Sequence, residues 1–311
     1  MPNGPELGGR RIVQIEGHCR PRGRGKITSE LFLRIARPET LYRAWRQVRR
    51  KGGGPGGDGV TIEIYGRDVE ARLSRLARLL VAGRYRPGPM RRFGVPKSSG
   101  GVRQIAVPCI ADRIVQTAVV RELQPSLEPR LGDASFAYRR GLSVEHAIAR
   151  LLVYRLWGYP WLLEADIVRC FDSIPHGRLA SELAEWIDCE RTRDLIGMWL
   201  EAFSRRGRGI PQGAPVSPLL VNLYLDPVDR AVATRRAKLV RYADDLVVAC
   251  RRREQAEAAK ERLERALAAR GLALAADKTR ILHISEGLAF LGYRMRGTRI
   301  FRRTDRTGTA F

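Results

Sequence analysis

The apolar positions of this chain change period several times, and each change marks an element. Over 28–51 the spacing is helical with a break at Pro38. Leu41, Trp45 and Val48 share one face, and Arg43, Arg46, Arg49 and Arg50 lie off it. The run GGGPGGDG (52–59) then stops any regular structure. A second amphipathic helix is predicted over 69–80, before the loop YRPGP (85–89). Period two takes over in RRFGVP and VRQIAVP, a β-hairpin over 91–107 turning at Ser98-Ser99-Gly100-Gly101. Helical spacing returns over 112–123 and 143–155. WLLEADIVRCF (161–171) is apolar enough for a buried strand that ends at polar residues, and helices follow over 175–186 and 192–203. After the loop GIPQG (209–213), Ser217-Pro218 opens a helix, with Ser as N-cap and Pro at the first helical position. KLVRY (238–242) and LVVAC (246–250) flank Ala-Asp-Asp as a tight hairpin. A helix over 254–270 precedes two single strands, TRILHI (279–284) and LAFLGYRM (288–295). From Trp161 the order is strand, helices, hairpin, helix, strand. It predicts an α+β fold, a four-stranded antiparallel sheet with helices on one face.

Charge changes this picture most. Lys+Arg 57 against Asp+Glu 33 leaves a net +24 on 311 residues. Arginine-rich codon usage accounts for the choice of Arg over Lys, but not for the surplus. The surplus implies a polyanionic partner, since neutralised phosphates release counterions. Residues 1–27 are rich in Gly, Arg and Pro and read as a basic flexible arm, or equally as a terminus without function. Five cysteines (Cys19, Cys109, Cys170, Cys189, Cys250) show no CxxC spacing, which argues against a disulfide framework or zinc module and for a reducing compartment. Cys170 and Cys250 fall on expected strands as packing residues. His18, His146, His176 and His283 show no ligand spacing, and His176 starts a helix after Pro175. No apolar run approaches the roughly 18 residues that span a bilayer, and MPNGPELGGRR lacks a signal-peptide core. A cytoplasmic location without membrane attachment is expected.

The candidate chemistry lies in ADIVRCFD (165–172) and YADD (242–245). Asp166 ends an apolar strand, and Asp244 and Asp245 sit at a hairpin tip. If those strands are neighbours, three carboxylates converge on one sheet edge. Ionised carboxylates 4 Å apart repel by about 4 kcal/mol at an effective dielectric of 20, so such a set calls for a cation. Oxygen-only ligands with open positions suit Mg²⁺. Taken alone, an Asp-Asp hairpin reads as a plain turn. The order of the segments and the loop between them carry the case.

These segments resemble a prokaryotic reverse transcriptase of the group II intron type, from about residue 41 to 294. The resemblance rests on KGGGPGGDGV (51–60), YRPGP (85–89), VPKSSGGVRQIAVPCIADRIVQ (95–116), FAYRRG (136–141), ADIVRCFDSIPH (165–176), GIPQGAPVSPLLVNLYLDPVDR (209–230), YADDLVV (242–248), DKTR (277–280) and FLGY (290–293), in the family's order. It implies a right-hand polymerase fold. Fingers would span 28–160 and the palm 161–293, with the motif B loop and helix at 209–236. A short basic tail, 294–311, would carry no recognisable thumb.

The resemblance also implies roles. Asp166 and Asp244 would ligate two Mg²⁺ ions, replaceable by Mn²⁺, with Asp245 a weaker ligand and the Ile167 carbonyl assisting. Lys97 and Arg103 would clamp the triphosphate of a dNTP. Gln212 would contact the nucleotide, and Gly213 would let backbone and template approach. Phe171 would lie under the sugar and exclude a 2′-hydroxyl. Lys278 would sit near the pyrophosphate as a general acid. Phe290, Leu291 and Gly292, with Tyr293, would grip the primer. Out of context, each of these also reads as an ordinary residue: solvated bases on a hairpin, a loop before a helix, core aromatics, a strand-capping lysine.

FAYRRG departs from the usual FGFRPG-like segment, so template contacts there are expected to differ. LVRYADDLVVACR (239–251) and EGLAFLGYRM (286–295) are similar in wording to reverse transcriptases associated with CRISPR spacer acquisition. The expected partners are therefore an RNA template, a DNA or RNA primer, dNTPs, and a CRISPR integrase complex or another thumb-supplying protein. Intron-derived and phage-defence reverse transcriptases, and a catalytically weak binding scaffold, are the alternatives.

Overall fold

Proline placement and buried apolar stripes set the N-terminal half. The computed structural model describes residues 30–96, 101–204, 206–297 and 299–302. Leu31–Ala36 (α1) ends at Arg37, which is extended because the following Pro38 excludes helical backbone there, and Pro38–Lys51 (α2) restarts the helix. Leu41, Trp45 and Val48 of α2 are buried. Ile62–Arg67 (α3) and Val69–Val81 (α4) follow the glycine-rich run, which is irregular as expected. Arg91–Pro96 (β1) and Val102–Val107 (β2) form the antiparallel hairpin; of its expected turn, Ser98 to Gly100 lie outside the described residues and Gly101 has φ of 82°. Ile110–Leu127 (α5) is longer than its apolar pattern suggested. Burial on most of its circumference, including Asp112, Arg113 and Gln116, blurs the stripe.

Val144–Leu156 (α6) leads into Trp161–Asp166 (β3). Cys170–Ser173 (α7), His176–Trp186 (α8), Glu190–Phe203 (α9) and Ser217–Val232 (α10) separate β3 from Ala237–Tyr242 (β4) and Asp245–Cys250 (β5). Cys170 thus opens α7 and is not a strand residue; like Cys109, Cys189 and Cys250 it is a buried free thiol. Arg253–Ala268 (α11) and Arg280–His283 (β6) complete the main sheet, whose order is β4-β5-β3-β6, antiparallel throughout.

Strand alternation sends Leu163, Ala165, Leu239, Leu246 and Val248 to one apolar core, shared with α10 and α11. Leu162, Val240, Val247 and Leu282 enter a second core with α6. The expected helical face is present, and the opposite face is covered as well.

Two further local expectations fail. Ser217 does not cap α10: Val216 holds the cap position, and the Ser217 hydroxyl donates instead to the Pro211 carbonyl at 2.7 Å. LAFLGYRM is not one strand. Leu288–Phe290 (β7) and Tyr293–Arg296 (β8) pair across a two-residue turn, Leu291-Gly292, with φ of 50° and 79°. Positive φ at both turn residues matches the twist of a tight hairpin; glycine adopts it freely, leucine gives no warning of it. Arg299–Arg302 (β9) extends this sheet, so the described part of the expected tail is strand.

Candidate active site

The β4–β5 hairpin places the carboxylates. Tyr242 pairs with Asp245, leaving Ala243-Asp244 as a two-residue loop, and Asp166 pairs with Asp245 across β3 and β5. Three acidic side chains therefore meet at one end of the sheet. Burial, then the charge of Asp166, pushes the Asp244 carboxyl above the usual carboxylate range. Asp245 is raised by burial and by repulsion from Asp244 and Asp166; it is open to the cleft, where solvent screens part of that effect. Lys278 forms an ion pair with Asp166, and that bond holds the lysine above its ordinary value. The segment bearing Lys278 is fastened by a 2.8 Å bond from the Ala275 amide to the Asp166 carbonyl.

The loop holding the carboxylates is strained and buttressed. Ala243 has φ of 59°, which costs on the order of 1–3 kcal/mol for a non-glycine residue. Beneath it, the Arg241 side chain, 0% exposed, donates to the Ala243 carbonyl at 3.1 Å. The same guanidinium grips Asp229 of α10 with two bonds of 2.7 Å and the Asn222 amide oxygen at 3.0 Å. Asn222 in turn donates to the Ala137 carbonyl at 2.8 Å, linking α10 to the FAYRRG segment. Periodicity gave no signal for this network, since an Arg and an Asp twelve residues apart read as solvated charges.

A cleft of about 1010 Å³ opens over the carboxylates. It brings together Asp166, Ile167, Phe171, Gln212, Gly213, Asp244, Asp245, Lys278 and Arg103 of β2. Lys97 lies outside the described residues. Gly213, at φ 114°, lets the loop approach β2: a Cβ there would stand 3.0 Å from the Ala106 carbonyl, and the neighbouring Gln212 carbonyl accepts from the Ala106 amide at 2.8 Å. The close approach at Gly213 is thus to the hairpin strand. Phe290 and Leu291 line an adjoining recess of about 360 Å³ that shares Asp166, Asp245 and Lys278; Gly292 completes the turn beside them.

Sequence reasoning missed Tyr138. It stands half exposed in the cleft at φ 62°, where burial, then the nearby Asp244 charge, raises its phenol. Among the described residues, the positive-φ non-glycines are Tyr138, Arg169, Ala243 and Leu291, and all four lie at the cleft or directly beside the carboxylates. Backbone strain is concentrated where chemistry is expected.

The donor set suits a hard cation: oxygen ligands only, two of them raised by burial and then by their neighbours' charge. Among the described residues no three His, Cys, Asp or Glu side chains already close around one point. An open set of this kind matches an ion that keeps waters and takes substrate phosphates as further ligands. No helix among the described residues is long and apolar enough to cross a membrane.

Comparison with known proteins accords with this geometry. Residues 95–295 match the family model described as reverse transcriptase (RNA-dependent DNA polymerase). Protein YkfC of Escherichia coli K12 is 30% identical over 310 residues, covering 84% of this chain and 81% of that protein. The group II intron-encoded protein LtrA of Lactococcus lactis is 27% identical over 230 residues, 71% of this chain and 38% of that protein, so this chain spans well under half of its length. In fold, the chain resembles telomerase from Candida albicans bound to a fragment of telomeric RNA, with a TM-score of 0.55, 13% identity, and coverage of 81% and 51%. A chain of a Cas6-RT-Cas1–Cas2 complex is 25% identical with a TM-score of 0.45, covering 72% of this chain and 38% of that one.

Proposed function

The chain belongs to the reverse transcriptase (RNA-dependent DNA polymerase) family, and on that premise we propose how its cleft copies RNA into DNA. The observation that carries the reading is the register. Asp166 and Asp245 are direct neighbours on adjacent strands, and Asp244 occupies the turn between β4 and β5. Asp166, Asp244, Asp245 and the Ile167 carbonyl would hold two Mg²⁺ ions, with Mn²⁺ as substitute, to polarise the primer 3′-hydroxyl and balance the charge of the departing pyrophosphate.

The remaining side chains bind and orient. Arg103, together with Lys97, clamps the dNTP triphosphate, where charge-assisted bonds are strongest. Gln212 contacts the nucleotide from a loop pinned to β2. Phe171, half buried at the cleft wall, fills the space a 2′-hydroxyl needs and selects deoxynucleotides. Lys278, paired with Asp166 in the free enzyme, delivers a proton to the leaving pyrophosphate. Phe290 and the Leu291-Gly292 turn stand beside the carboxylates and hold the primer end. Template and primer enter as polyanions drawn by the +24 charge.

The biological setting we propose is cDNA synthesis for CRISPR spacer acquisition with an integrase complex, supported by the wording of residues 239–251 and 286–295. The test is extension of oligo(dT) on poly(rA) with Mg²⁺ and dTTP. Template-dependent product that UTP does not replace supports the reading. Template-independent addition, or equal use of UTP, contradicts it.

A further inference from the structure

The end of the main sheet opposite the carboxylates carries the second concentration of chemistry. Ala237 pairs with Cys250 there, and Trp161 pairs with Cys250 from β3. These residues stand five steps from Asp166 and Asp245, about 17 Å at strand rise. The hairpin register brings Arg235, Arg236 and Lys238, which flank the start of β4, beside Arg251, Arg252 and Arg253, which follow β5. Five of these six are exposed and Lys238 is partly so. On α11 the opposing charges are Glu254 and Glu257, and Glu257 is engaged by Arg253.

Aromatic rings run through the same patch. Tyr159 donates to the Arg235 carbonyl at 2.9 Å, tying the loop after α6 to the basic segment before β4. Arg251 lies 5.0 Å and Lys238 5.9 Å from the Tyr159 ring centre. Tyr159 abuts Tyr154, and Tyr154 abuts Trp157 at 5.9 Å between ring centres. Trp157 is 56% exposed and Leu156 75% exposed. In addition, Arg252 holds the cap position of α11 without a side-chain cap bond, and Arg253 begins the helix. Cations at a helix N-terminus oppose the helix dipole unless an anion joins them.

We propose that this patch is a second nucleic-acid surface that binds single-stranded RNA or DNA outside the catalytic cleft. Cations spaced along a hairpin edge track a phosphate backbone, and the exposed indole offers a stacking platform for a base. The exposed ring favours a single strand, because bases in a duplex present no free face. The surface would hold a single-stranded flanking stretch of the template while the cleft works.

The test uses enzyme already loaded with a primer–template duplex, so that the cleft is filled. Binding of a labelled 15-nucleotide oligo(rU) is then followed by fluorescence anisotropy. The triple variant Arg236→Gln, Arg251→Gln, Arg252→Gln should lose at least tenfold in affinity. Its slope of log affinity against log salt should fall by about 2, from roughly 0.7 per phosphate contact. Trp157→Ala should lose at least fivefold. Unchanged urea midpoints would show that the variants fold. Binding indifferent to both variants overturns the proposal, as does no binding to the loaded enzyme. Equal affinity for a second duplex with no effect of Trp157→Ala also overturns it. With labelled polyglutamate as a parallel probe, variants that lose polyglutamate binding but keep oligo(rU) binding would do the same and point to an acidic protein partner.

Discussion

The two ends of the main sheet are built from the same three strands and differ in almost every physical respect. At one end, Asp166, Asp244 and Asp245 are forced together by register and a two-residue turn. At the other, six cations, five of them exposed, flank the ends of β4 and β5, with Arg251 and Lys238 against the Tyr159 ring. Like charges in the exposed set are screened by water and cost little. In the recess, burial first and then mutual repulsion raise the Asp244 and Asp245 carboxyls. The acidic end also carries strain at Ala243, and a fully buried Arg241–Asp229 pair holds it from below. A catalytic end is expensive and must be over-determined by its surroundings; a binding end can be laid on relaxed backbone.

The sharpest way to break the comparison is chelation. EDTA should reduce primer extension by more than about a thousandfold, while oligo(rU) binding at the cationic end changes less than twofold. Next in size is Asp229→Ala. It leaves Arg241 as an uncompensated buried charge and should cost about 3–5 kcal/mol in urea unfolding; a loss under 1 kcal/mol would remove Arg241 from the account as the buttress of the turn. A structural carboxylate outside both ends provides a contrast. Asp112 is buried, accepts from the Tyr85 hydroxyl at 2.5 Å and the Gly88 amide at 3.0 Å, and is pushed up by its burial to about 6. Its folded-state value exceeds the unfolded one, so its contribution to stability is full below about 4 and is lost as pH rises through 6. The stability gap between wild type and Asp112→Asn should therefore shift by roughly 2–3 kcal/mol between pH 4 and 7, measured by urea unfolding at both. A flat gap would contradict the burial argument. The smallest effect is at Phe171. Phe171→Ala should narrow the preference for dTTP over UTP by about tenfold or more, read from competing kcat/KM values; an unchanged preference would assign sugar selection elsewhere.

Much of this arrangement was legible in the chain. The β4–β5 hairpin announced itself because apolar β-prone runs flank a polar pair, and Pro38 gave the break between α1 and α2 because proline dictates its neighbour's backbone. The Asp set followed from strand context and from the resemblance of the surrounding segments. What escaped reading depended on partners distant in sequence or on unusual backbone. Leu291 adopts a left-handed turn that its side chain does not predict, so FLGY read as a strand. Ser217 spends its hydroxyl on Pro211 because the incoming loop folds back over the helix start. Arg241, Asp229 and Asn222 meet only after β4 docks on α10. The cationic end was visible as charge but not as a place, because Arg235 and Arg251 meet at Tyr159 only once the hairpin has formed.

The central claim is that the three carboxylates perform the chemistry of RNA-directed DNA synthesis. The most direct measurement is single-turnover incorporation of dTTP by enzyme preassembled with poly(rA)–oligo(dT), wild type beside Asp244→Ala, with duplex affinity measured in parallel. The account predicts incorporation lost by more than about a thousandfold in the variant, with affinity for the duplex unchanged within a few fold. Incorporation that survives the substitution would contradict it and move the catalytic centre away from the β4–β5 turn.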